Sequence, residues 1–145
     1  MNFLEGVIVV QKDFYVFPCV FVYKLEYIDV YFPDLEECYA RGENEEMALV
    51  NAKEVLNAVI YQLEQIGGEI PKPTKLKDIE VKDWERAVLI EVFMPIFRAK
   101  QENKYIRKNL TIPHWLNIEA ERSGVNFSQV LQNGLKEYLR IKTPS

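Results

Sequence analysis

The chain has 145 residues, 48% of them hydrophobic and 28% charged, with a net charge of −4. That describes one ordinary folded domain, or two small ones, and excludes low-complexity and disulfide-framework classes. Cys19 and Cys38 are the only cysteines, too few for a thiolate metal site, and the one early apolar run, Val7 to Val10, is too short to span a bilayer. It also lacks a basic start, so no signal peptide is read and a cytoplasmic protein is expected.

The opening dozen residues match no pattern. Residues 14–23, Phe-Tyr-Val-Phe-Pro-Cys-Val-Phe-Val-Tyr, are β-branched and aromatic and predict a strand. Pro18 inside it predicts an edge position or a bulge. A polar turn at Lys24 to Tyr27 leads to a second strand, Ile28 to Phe32, which Pro33-Asp34 ends. A third strand, Cys38 to Arg41, stops at Gly42. Asn44 then caps a long helix with Glu45 and Glu46 in its first turn. Its expected buried stripe is Ala48, Ala52, Val55, Val59, Leu63 and Ile66, closed by Gly67-Gly68.

Ile70 to Thr74 reads as a loop, and residues 75–86 receive no assignment. Ala87 to Met94 is a continuous apolar run broken only by Glu91, the pattern of a central strand buried on both faces. Residues 1–97 are therefore expected as one domain, 98–103 as a linker and 104–145 as a second module. The order is three strands, a helix and a strand, an α+β arrangement.

The second module opens on Ile106 to Ile112. Period-2 alternation puts Ile106, Leu110 and Ile112 on one face and Arg107, Asn109 and Thr111 on the other, with Lys108 breaking the apolar side. Pro113 suits the first turn of a helix that ends at Gly124. Asn126 caps another, with Gln129 at capping-box distance and an apolar stripe of Phe127, Val130, Leu131, Leu135, Tyr138 and Leu139. One strand and two short helices cannot bury a core alone, and a lone strand leaves its backbone groups unpaired. Two chains pairing their strands would cure both faults; a helical hairpin docked on the main body is the plainer alternative.

Charge divides the same way. From Lys104 onward seven cations face three anions, a net of +4, which leaves −8 on residues 1–103. A basic module suits phosphate, and an acidic body suits a basic partner.

Strand, helix and helix in this order resemble the ribbon-helix-helix family of DNA-binding domains, whose paired strands lie in the major groove. The resemblance puts Arg107, Asn109 and Thr111 on base-reading positions, residue types that hydrogen-bond base edges there. It puts the free N–H groups of Asn126, Phe127, Ser128 and Gln129 where the family clamps a phosphate.

The body adds a second likeness. Phe32-Pro33-Asp34-Leu35, Cys38 and Gly42, with Asn44 at a helix cap and Ala48 behind it, resemble the N-terminal domain of HicB antitoxins. Glu37 stands where that family places glycine. Leu-Thr-Ile-Pro-His-Trp-Leu (110–116) and Gly-Val-Asn-Phe-Ser-Gln-Val-Leu-Gln (124–132) are similar to HicB members carrying a ribbon-helix-helix tail. The resemblance spans residues 15–139. It implies a partial ribonuclease H-like domain that neutralises a HicA-type mRNA-cleaving toxin. The tail would form a homodimer, able to assemble further, that represses its own operon by binding operator DNA.

Other chemistries are weaker. Asp29, Asp34, Glu36, Glu37 and Glu43 are candidate Mg²⁺ carboxylates, but turn carboxylates are usually just solvated. His114 sits beside Pro113, where solvation or a nearby phosphate explains it better than catalysis. No enzyme activity, metal or cofactor is expected. The runner-up function is a ribbon-helix-helix repressor whose N-terminal domain senses a small ligand.

Overall fold

The computed structural model describes residues 11–142 and, before them, the backbone of two short paired strands, β1 (Asn2–Leu4) and β2 (Val7–Val9). The chain divides into two compact units, Met1–Lys104 and Tyr105–Ser145. Among the described residues no helix is long and apolar enough to cross a membrane.

The first unit is built on β3 (Phe14–Tyr23), β4 (Ile28–Tyr31), β5 (Tyr39–Gly42) and β6 (Glu85–Phe93). They form an antiparallel sheet in the order β5-β4-β3-β6. Alternation along β3 sends Tyr15, Phe17, Cys19 and Phe21 into the core, and Ile90 and Val92 join them from β6. The 22-residue helix α1 (Glu45–Ile66) closes that face. Asn44 caps it, Oδ1 accepting from Met47 N–H at 2.9 Å, and Gly67 ends it at φ 67°.

The helix turns a different line inward from the one expected. Ala48, Ala52, Leu56, Ile60 and Glu64 are buried, Val55, Val59 and Leu63 only flank the core, and Ile66 is exposed. The two alanines decide this, because the smallest side chains lie where helix and sheet come closest. Gly42 shows how close: a Cβ there would fall on the backbone of Met47 and Ala48.

Pro18 sits in an interior strand, not at a sheet edge, yet the edge argument holds locally. Tyr23 N–H donates to Trp84 O, so odd residues of β3 face β6 and even ones face β4. β4 pairs only with Val20 to Tyr23, so the donor that Pro18 lacks points where β4 has already ended.

Two expectations fail on the far side of the sheet. β6 is not a central strand: among the described residues it pairs with β3 alone, and Leu89 and Phe93 are exposed on its outer face. An apolar run reads alike in a central strand and in an edge strand whose open face is itself apolar. Nor are residues 98–103 a linker. Met94 to Glu102 form α2, which follows β6 directly and ends at Asn103, φ 51°. Phe97 meets the Tyr61 ring edge-on at 5.7 Å. Arg98 grips the buried Glu64 carboxylate at 2.6 and 2.9 Å and also donates to Lys12 O at 2.6 Å. α2 therefore belongs to the body.

The turn after β4 is fixed by its own residues. Phe32, Leu35 and Cys38 are buried, while the Asp34 carboxylate accepts from Thr74 N–H at 2.9 Å and its hydroxyl at 2.5 Å, anchoring the loop behind α1. Glu37 takes φ 54°, the left-handed region that favours glycine. Of the unassigned stretch, Leu76–Asp78 is one 3₁₀ turn and β6 begins at Glu85.

Candidate nucleic-acid interface

In the second unit, α3 (His114–Arg122) and α4 (Phe127–Tyr138) are joined by a turn in which Gly124 adopts φ 66°. Pro113 stands at the cap of α3, one position earlier than expected, with φ −56° and ψ 139°. Its lack of an N–H costs nothing there. Asn126 caps α4, Oδ1 accepting from Gln129 N–H at 3.0 Å. The reciprocal half of the capping box is absent, since Gln129 Nε2 reaches Asn133 Oδ1 at 2.9 Å.

That detail narrows the expected phosphate cradle. The Gln129 N–H is taken by the cap, leaving the amides of Phe127 and Ser128 and the Ser128 hydroxyl as open donors at the helix start. Asn126 serves through its side chain as the cap.

Residues 105–113 form no strand in the single chain, contrary to the expectation for Ile106 to Ile112. A strand needs a partner for its backbone groups, and the described residues of this unit supply none. Arg107, Asn109 and Thr111 are exposed and make no side-chain hydrogen bond within the described residues. Lys108 and His114 are exposed too. The ion pairs near them, Lys104 with Glu102 at 3.2 Å and Arg122 with Glu119 at 3.7 Å, are solvent-facing and worth little.

More telling is what the unit does not bury. No residue from Tyr105 to Lys142 is buried, and Trp115 and Tyr138 remain 67% and 86% exposed. Leu110, Ile112, Leu131 and Leu135 are likewise exposed. An apolar set of this size without cover marks an interaction surface.

Among the described residues the candidate carboxylates of the body do not gather into one cluster. Asp29 pairs with Arg41 at 2.7 Å, the guanidinium also lying 4.0 Å from the Tyr27 ring centre, and Asp34 is committed to Thr74. Among the described residues no three His, Cys, Asp or Glu side chains gather as a metal site. Burial pushes both the Cys19 and Cys38 thiols up to about 12, so they serve as small core residues. Sequence reasoning named no contact residue in the body. The exposed positions of β6 lie in a run whose pattern predicts burial on both faces, and those of β3 in a run that predicts a strand without saying which face is covered.

The comparisons bear on both units. A toxin–antitoxin complex from Streptococcus pneumoniae contains a chain 25% identical, with a TM-score of 0.55, covering 86% of this chain and 99% of its own. The crystal structure of antitoxin HicB3 is 25% identical at a TM-score of 0.47, covering 90% and 100%. That of the Burkholderia pseudomallei antitoxin HicB is 20% identical at 0.49, covering 86% and 98%. No curated protein matches in sequence. The family profile described as the HicB-like antitoxin of bacterial toxin–antitoxin systems matches residues 24–131, which takes in the body from β4 onward and the module into α4. The chain belongs to the HicB-like antitoxin family.

Proposed function

We propose that the body binds and neutralises a HicA-type mRNA-cleaving toxin, while the module pairs two chains and represses the operon that encodes them. The observation that carries this reading is the contrast between a self-cored acidic body and a basic module with nothing buried. A toxin that grips RNA is basic, which suits a body of −8. The chain of the Streptococcus pneumoniae structure it resembles comes from a toxin–antitoxin complex.

In the module, pairing residues 106–112 of two chains would satisfy their backbone groups and cover Leu110 and Ile112. Arg107, Asn109 and Thr111 would then stand in duplicate on the outer face, where arginine reads guanine and asparagine adenine. The amides of Phe127 and Ser128 would hold a phosphate on either side. The protein performs no catalysis in this reading; it blocks a catalyst.

Co-expression with a HicA-type toxin, sought as a small basic open reading frame beside this chain's gene, tests the proposal. The pair should co-purify, and this chain should restore growth arrested by the toxin. Growth arrest that persists, with no complex formed, would contradict it. Pure protein should also leave RNA uncut with Mg²⁺ present; cleavage abolished by Asp34→Ala or Glu43→Ala would replace the antitoxin reading with an enzymatic one.

A further inference from the structure

α1 covers one face of the body's sheet; the other is partly open, since Pro18 and Val20 are buried there while the end near Phe14 and Phe93 is exposed. On the open face β3 and β6 carry Phe14, Val16, Leu89 and Phe93, 40% to 55% exposed, with the two phenylalanine rings 4.8 Å apart. Glu91 lies opposite Val16 and between Leu89 and Phe93, so a single exposed carboxylate sits amid apolar side chains. It forms no ion pair among the described residues.

The same strand is an edge over nine residues. Trp84 O accepts from Tyr23 N–H, and Met94 N–H donates to Asp13 O, so even residues of β6 face β3. The amides of Ala87, Leu89 and Glu91 therefore point away from the sheet, and none meets a backbone acceptor among the described residues. Proteins that keep such edges to themselves shorten, charge or cover them. Here Glu85 and Arg86 stand at the start of the edge, and from Ala87 to Phe93 Glu91 is the one charge among apolar residues.

We infer that the free edge of β6 is the docking line for the basic partner, whose own edge strand adds to the sheet. A lysine or arginine of that strand meets Glu91, and its apolar neighbours cover Leu89 and Phe93. The inference rests on the antitoxin reading and specifies where the body does its work. Charge selects the occupant. A second copy would set one acidic body against another, whereas a basic strand neutralises Glu91 and the body's charge together.

The test uses the full chain and the purified HicA-type toxin, with binding measured by calorimetry. Glu91→Lys should weaken binding by about 10- to 100-fold, and Glu91→Gln by about 10-fold. Leu89→Pro probes strand addition itself: it removes an outward amide while sparing the β3 ladder, and should weaken binding comparably. Leu25→Asp, at a turn residue 99% exposed, should change nothing. Thermal melting confirms that each variant is folded. Wild-type binding with all β6 variants equally tight would overturn the docking line and leave the antitoxin reading standing. No binding by wild type would overturn both. Loss of self-association with binding intact would assign the edge to a second copy and overturn the inference.

Discussion

Both units carry apolar residues at regular spacing, but they use them in opposite ways. In the body Phe17, Leu56, Ile60 and Met94 are wholly buried and meet in one cluster between sheet and helix. In the module the equivalent stripe of α4, from Phe127 to Leu139, stays open to solvent. Local signals are equally good in both, since Asn44 and Asn126 cap their helices with the same hydrogen bond. Well-formed helices therefore do not imply a core. The body closes its core with its own sheet, whereas the described residues of the module close none.

The sharpest way to break the body is at its buried ion pair. Arg98→Ala strands the Glu64 carboxylate under α2 and should cost about 3–5 kcal/mol in denaturant unfolding. Arg98→Met with Glu64→Leu should restore most of it, because the cost lies in the unpaired charge. Next comes the module. Leu110→Asp places a charge beneath the proposed ribbon, and should abolish pairing at micromolar concentration while the body still melts as before. A change in the body's melting would mean that pairing of the module also supports the body.

Smaller effects sharpen the picture. Arg107→Ala and Asn109→Ala should each weaken operator binding by about 1–3 kcal/mol per lost base contact in gel shifts, without changing mass. Wild-type affinity should fall steeply with salt as counterions are released. Unchanged affinity in the double variant would reduce the tail to a pairing arm. Smallest is Glu37→Gly, which relieves a left-handed backbone and should stabilise the body by about 1 kcal/mol. No gain would mean that the turn holds Glu37 by contacts worth as much as the strain.

Much of this was legible in the sequence, for reasons that differ by element. β3 and the caps of α1 and α4 declare themselves locally, through β-branched runs and asparagine side chains that need only nearby backbone. The Phe32-to-Leu35 turn was legible as a turn, but the hold of Asp34 on Thr74 spans forty residues of sequence and left no local trace. β6 was misjudged because periodicity reports apolarity, not how many neighbours a strand has. α2 reads as a linker in the sequence because its short helix is held by Arg98 and Phe97, whose partners Glu64, Tyr61 and Lys12 lie far away in the chain. At the candidate interface, the positions of Arg107, Asn109 and Thr111 follow from alternation alone, while the ribbon they would sit on lies outside any single chain.

Light scattering on the purified chain, beside Leu110→Asp, tests the central claim most directly. The account predicts a wild-type mass of at least twice 17.1 kDa, falling on substitution. A wild-type mass of 17.1 kDa, with the amides of α3 and α4 protected from hydrogen exchange, would contradict it: the module would then be folded without a second chain.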